Sequence, residues 1–161
     1  MTPSSNLSNQ PHHIAAEVGV NHEGDINRAV SLLEAARRAG ATSVKLQYYK
    51  ASTLASKQAR AYWSKSAEAT PDQHSLFSKF DTFGPSEFAD LADQAHELGM
   101  QFALSVFHIE GVQQVVDFVD YLKIASGDIT FKQLIIEAAG TGLPVGISTG
   151  ASTIEEGTDA V

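Results

Sequence analysis

The sequence has no cysteine, which excludes disulfides, thiolate nucleophiles and thiolate metal sites and fits a reducing cytoplasm. Positive charge is also scarce: 11 Lys and Arg stand against 19 Asp and Glu in 161 residues, a formal net charge of −8. A field of that sign repels polyanions and argues against nucleic acid as a partner. No run approaches the ~20 consecutive apolar residues of a membrane-spanning helix. The polar start Met1 to Asn9 lacks the apolar stretch of a signal peptide. A soluble cytoplasmic protein with no membrane partner is expected. What remains is ordinary globular composition, 43% hydrophobic and 19% charged, enough for one core whose chemistry must use oxygen and nitrogen groups.

Residues 1–12 are rich in Ser, Asn, Pro and Gln without apolar periodicity and read as a flexible leader. Residues 13–161 then alternate regularly. Five short apolar runs read as strands: His13 to Asn21, Ser43 to Tyr49, Gln101 to Phe107, Tyr121 to Gly127 and Pro144 to Gly150. Helical spacing occupies Ile26 to Ala39, Glu87 to Leu98 and Phe131 to Ala139, each followed by Gly before the next strand. That rhythm predicts parallel βαβ units. The irregular stretch Ala51 to Gly84 reads as a functional loop, with a short helix at Lys57 to Lys65. Thr153 followed by Glu155 and Glu156 starts a further helix. A closed (β/α)₈ barrel takes ~250 residues, so this α/β chain holds roughly the first five strands of a TIM-type barrel. An open sheet of that kind is expected to expose an edge strand and an apolar inner face, and to pair or aggregate.

The informative residues are the polar ones inside strands. Side chains alternate between faces, and the helix-covered face of a parallel sheet is apolar. Glu17, Lys45 and Gln47, Ser105, Lys123 and Ser148 interrupt the five apolar runs on one parity. Buried Lys and Glu cost several kcal/mol unless paired. Two Lys and one Glu on neighbouring strands would partly neutralise each other and leave a positive remainder. With the hydroxyls of Ser105, Ser126 and Ser148 and the backbone at Ser126-Gly127-Asp128 and Ser148-Thr149-Gly150, that remainder suits a phosphate or carboxylate. A small anionic substrate is predicted.

Plainer readings stand beside these. A lone strand Lys is often a rim residue with its ammonium in water. Glu17 also serves as a structural ion-pair partner, and Asn21-His22-Glu23-Gly24 is equally turn chemistry or site. His12, His13, His74 and His96 read as surface residues, and His108 is left open between surface and site. Tyr48-Tyr49 reads as packing, with sugar contact as the alternative. No histidine pair has ligand spacing, so no metal follows from spacing.

Ala16-Glu17-Val18-Gly19-Val20-Asn21-His22-Glu23-Gly24, Val44-Lys45-Leu46-Gln47, Leu122-Lys123-Ile124-Ala125-Ser126-Gly127-Asp128 and Ile147-Ser148-Thr149-Gly150 occur in the order and spacing of one family. The sequence resembles the N-acetylneuraminate synthase family, including its siblings that make related nonulosonic acids, over about residues 14–161. The resemblance implies a (β/α)₈ barrel that condenses phosphoenolpyruvate with an open-chain N-acylated hexosamine of the N-acetylmannosamine type and releases phosphate. It implies phosphoenolpyruvate contacts at Lys45, Ser105, Lys123 and Ser126, a sugar contact at Gln47, and a proton-handling carboxylate at Glu17. A divalent metal, Mn²⁺ or Mg²⁺, is implied for the complete enzyme, with its histidine ligands on later strands absent from this chain. A homodimer is implied when complete, and this portion alone is expected to be inactive. Two departures stand out. Leu104-Ser105-Val106-Phe107 replaces the family's Ser-Thr-Pro-Phe, and Ser-Thr-Gly-Ala replaces Ser-Thr-Gly-Met. Two other readings of the residues are a Schiff-base aldolase using Lys123 or Lys45, and a non-catalytic anion-binding half-barrel.

Overall fold

A parallel five-stranded sheet in the order β1-β2-β3-β4-β5 carries the molecule, as a computed structural model describing residues 12–161 shows. The strands are β1 (Ala15–Gly19), β2 (Ser43–Tyr48), β3 (Gln101–Val106), β4 (Tyr121–Ile124) and β5 (Val145–Ile147). Between them run α1 (Ile26–Arg38), α2 (Ala51–Leu54), α3 (Gln73–Phe80), α4 (Pro85–Glu97), α5 (Ile109–Val115) and α6 (Lys132–Gly140), and α7 (Ile154–Asp159) follows β5. Sequential parallel order with a helical crossover after each strand is the first part of a barrel wall. The expected fold class is therefore observed. The leader expected over residues 1–12 lies, except for His12, outside the described residues.

Local chemistry explains the helix limits. Asp25 caps α1 by accepting from the N–H groups of Asn27 and Arg28, and Gly40 follows at φ +90°. Pro85 opens α4 while the Glu87 carboxylate accepts from Gly84 N–H at 2.8 Å. The outward parity of the strands, Val44, Leu46, Phe102, Leu104, Leu122 and Ile124, is buried against Leu33 of α1, Leu91 of α4, Val112 of α5 and Leu134 of α6. Fully burying each such side chain contributes about 1.5–3 kcal/mol, so this layer is the main source of stability.

Three expectations need correction. Lys57 to Lys65 is not a helix but turns and an isolated antiparallel bridge between Arg60 and Asp72. The helices of that region are α2 and α3, the latter capped by the Asp72 side chain, which accepts from Ser75 N–H at 2.7 Å. Nor is the inner face apolar: Glu17, Lys45, Gln47, Ser105 and Lys123 all belong to its parity. The strands are also shorter than their apolar runs; β4 ends at Ile124, and Ser126–Asp128 closes into a 3₁₀ turn.

An unbroken line of aromatic contacts ties the loops at one end of the sheet. His22 stacks on Phe83 at 4.3 Å, Phe83 meets Phe88 at 5.8 Å, Phe88 meets Tyr48 at 5.4 Å and Tyr48 meets His108 at 4.9 Å. The turn after β1 is thereby fastened to the segment after β2 and to the start of α5. His22 is 1% exposed, and its Nδ1 accepts from Gly24 N–H at 3.1 Å. Burial lowers its pKa below the ordinary imidazole value of 6.5. Of the two readings of Asn21–Gly24, His22 thus has a turn-forming contact. His108 is held differently: a Cβ at Gly111 would stand 2.6 Å from its Cε1 and 2.8 Å from Val106 Cγ1.

Two outcomes follow from this packing. Gly→Ala inside a helix ordinarily gains about 1 kcal/mol. Gly111→Ala should instead lower the urea midpoint by the equivalent of about 1–3 kcal/mol, with part recovered in His108→Ala/Gly111→Ala; a raised midpoint in the single variant would refute the wedge. The second outcome concerns acid. Below pH 6.5 the unfolded chain takes up a proton at His22 while the folded chain, with its lower pKa, does not, so stability falls as pH drops from 6.5 towards the folded value. His22→Phe, which keeps a ring on Phe83, should flatten that fall in urea titrations between pH 7.5 and 5. An unaltered slope would show that other groups carry it.

Candidate active site

Strand register sets the site. Glu17 lies opposite Lys45, Gln47 opposite Ser105, Ser105 opposite Lys123, and Lys123 opposite Gly146, all across parallel pairs. Lys45 Nζ forms an ion pair with Glu17 Oε2 at 2.7 Å and donates to Ser105 Oγ at 2.9 Å. The lysine side chain is 12% exposed and the glutamate 56%, so the carboxylate reaches into the ammonium from the solvent side. Lys123 Nζ donates to Ser148 Oγ at 2.6 Å and to the Ile124 carbonyl at 2.5 Å. Its pKa is pushed below the ordinary lysine value, first by burial and then by the Lys45 charge, with Glu17 pulling the other way. Two ammonium groups therefore share the field of a single carboxylate, and a positive charge remains uncompensated. Such a remainder invites an anion.

Small residues make the room, and these the sequence reading did not assign. Gly19 sits at φ +57° where β1 slips register against β2; a Cβ there would stand 3.2 Å from Glu17 Oε1 and 3.8 Å from Gln47 Nε2. The Glu17 and Gln47 side chains thus converge over Gly19. Ala103, opposite Lys45 and Tyr121, is fully buried on the same parity and leaves space for the lysine stem. At Gly146 a Cβ would touch Lys123 Cδ at 3.4 Å. An isolated Gly inside an apolar run signals such close approach, and at Gly146 that signal was available.

Ser126 opens the 3₁₀ turn after β4, and a Cβ at Gly150 would stand 3.6 Å from its Oγ. Ser126, Gly127, Thr130, Gly150 and Ser152 line a concavity of about 270 Å³. The Asp128 carboxyl of the same turn is raised above the ordinary carboxylate range by burial, and among the described residues its Oδ2 has no hydrogen-bond partner. Sequence reasoning treated Asp128 only as part of a flexible backbone. Val106, where the family has Pro, extends the β3 ladder opposite Tyr48 and is buried.

The remaining polar candidates lie elsewhere. His13 and Tyr121 both approach Ser43 Oγ at 3.1 Å, at the opposite end of the sheet from the aromatic line. His96 contacts Asp120 at 2.8 Å on the surface, His12 is exposed, and His74 is half-buried on α3. Tyr49 is buried with its hydroxyl on the Phe77 carbonyl and its pKa pushed up to about 12, a packing role. Among the described residues no group of three or more His, Asp or Glu is arranged to hold a metal ion, and no helix is long and apolar enough to cross a membrane.

Comparison with known proteins gives this geometry a family. The chain matches the model of the NeuB family over residues 14–161. It is 33% identical over 146 residues to the N,N'-diacetyllegionaminic acid synthase of Legionella pneumophila, covering 89% of this chain and 41% of that protein. It is 33% identical over 156 residues to the pseudaminic acid synthase of Helicobacter pylori, covering 94% and 45%. A crystal structure of the N-acetylneuraminic acid (sialic acid) synthetase of Leptospira borgpetersenii in complex with citrate superposes with a TM-score of 0.77 at 29% identity, over 94% of this chain and 49% of that one. The chain thus spans less than half the length of the curated relatives it matches. With four ordered motifs, one parallel wall and a family model that covers nearly all of it, this chain belongs to the NeuB family of sialic, legionaminic and pseudaminic acid synthases.

Proposed function

We propose that this chain forms the phosphoenolpyruvate-binding part of a nonulosonic acid synthase, which joins phosphoenolpyruvate to an N-acylated hexosamine of the N-acetylmannosamine type and releases phosphate. The observation that carries the reading is the shared field of Lys45, Lys123 and Glu17: two cations and one carboxylate on one sheet face of a chain that is otherwise strongly acidic. In this reading Lys45 and Lys123 hold the phosphate and carboxylate of phosphoenolpyruvate, and the hydroxyls of Ser105, Ser126 and Ser148 donate to their oxygens. Gln47 positions the sugar. Glu17, solvent-accessible and ion-paired with Lys45, takes a proton from the water that adds and returns it to the aldehyde oxygen, which becomes a hydroxyl when the substrate methylene carbon bonds to the sugar aldehyde carbon. Water adds to the resulting cationic carbon, and phosphate departs. The divalent metal implied by the family finds no ligand cluster among the described residues, so no step is assigned to it.

A second reading draws on the lowered pKa of Lys123, because a lysine that sheds its proton readily can form a Schiff base. Titration of this chain with phosphoenolpyruvate separates the cases. Replacing a charge-assisted hydrogen bond costs about 1.5–3 kcal/mol, so Lys45→Ala and Lys123→Ala should each weaken binding roughly 10- to 100-fold by calorimetry. Undiminished affinity in both variants overturns the assignment. Borohydride with pyruvate should leave Lys123 unmodified; a covalent adduct there transfers the site to the aldolase class.

A further inference from the structure

We infer that the segment between β2 and α3 is an electrostatic entrance that draws the anionic substrate into the Lys45–Lys123 site, an inference that rests on the anion-binding function proposed above. Charge is distributed unevenly along the chain. Between β2 and α3, over residues 49–72, lie four Lys and Arg and two Asp and Glu, a local net of +2, whereas the remaining residues hold seven against 17, a net of −10. From Ala51 to Ala67 there are three cations and no acid. Those three, Lys57, Arg60 and Lys65, are exposed, and among the described residues none has a carboxylate within ion-pair distance. Their neighbours differ: Lys50 is paired with Asp81 at 3.1 Å and Lys79 with Glu68 at 2.9 Å. The two paired cations anchor the segment, and the three unpaired ones face water.

The segment is also held in shape. Gln73 Nε2 donates to the Arg60 carbonyl at 2.7 Å, Gln73 N–H donates to the Ala59 carbonyl at 3.0 Å, and Trp63 Nε1 donates to the Glu68 carbonyl at 3.1 Å. It leaves β2 at Tyr49, two residues after Gln47, with Lys50 Nζ 5.7 Å from the centre of the Tyr48 ring. The cations are therefore presented from a fixed loop at the strand end that carries Lys45 and Gln47. For a ligand with both phosphate and carboxylate, a body of net −10 is repulsive and a positive segment leaving the strand that carries Lys45 is attractive. Low-dielectric walls focus such a field and raise association rates by 10- to 1,000-fold. The exposed cations act before contact, so their effect lies in the rate of arrival and is screened by salt.

The test measures association and dissociation rates of phosphoenolpyruvate with this chain from ³¹P line shapes across ionic strength. The variant Lys57→Gln/Arg60→Gln/Lys65→Gln should associate about tenfold more slowly at low salt, dissociate at the unaltered rate, and converge on the parent at ~1 M salt, where the Debye length is about 3 Å. Arg37→Gln/Arg38→Gln, at the far end of α1, should change neither rate. If phosphoenolpyruvate binds but the triple variant associates as fast as the parent, the entrance is overturned and the site stands. A faster dissociation with unchanged association also overturns it, because the loop would then grip the bound ligand. Failure of the parent chain to bind phosphoenolpyruvate removes the function and the entrance together.

Discussion

The ion pair between Lys45 and Glu17 is the constraint on which the rest of this structure depends. An ammonium drawn out of water on a sheet face costs several kcal/mol, and a 2.7 Å carboxylate with a 2.9 Å hydroxyl from Ser105 offsets much of it. Lys123, two strands away, has among the described residues the Ser148 hydroxyl and a carbonyl as its direct partners, and burial, then the Lys45 charge, lowers its pKa. The face is left short of one negative charge. Gly19 and Gly146 belong to the same arrangement, because a Cβ at the first would crowd the Glu17 carboxylate at 3.2 Å and one at the second would meet the Lys123 stem at 3.4 Å.

This polar face is tolerable only because the opposite one is packed. The outward parity of every strand meets helices, and the aromatic line from His22 through Phe83, Phe88 and Tyr48 to His108 clamps loops contributed by different strands. The apolar packing thus lies on one side of the sheet and the charged residues on the other. Lys57, Arg60 and Lys65 follow β2 in a stretch without acids, while negative charge is spread over the remainder.

Legibility in the sequence followed the same division. The parity of Glu17, Lys45, Ser105 and Lys123 was readable because a parallel sheet packed by helices demands uninterrupted apolar residues on its outer face, so each exception marks the inner one. The class of fold was readable from Gly-terminated helices alternating with short apolar runs. Helix α5 was not, because Gly111 breaks its pattern and is explained only by the His108 ring beside it. Helix α3 was hidden for a related reason: its cap and its bridge to Arg60 join residues across a turn-rich stretch without periodicity. The placement of Lys57 to Lys65 failed because favourable local helix propensity yielded to the hydrogen bonds that Gln73 makes to the Ala59 and Arg60 carbonyls.

By itself the sequence determined the order of elements, the inward parity of the charged residues and the motifs shared with the NeuB family, since each depends on neighbours along the chain. Tertiary structure alone decided that Glu17 pairs with Lys45 and not Lys123, that Ser105 serves Lys45 while Ser148 serves Lys123, and that His22 is buried on Phe83. Those choices depend on strand register and helix packing between residues up to 61 positions apart, as with His22 and Phe83. No local pattern encodes such distances, because the energies that select them arise only when the strands lie side by side.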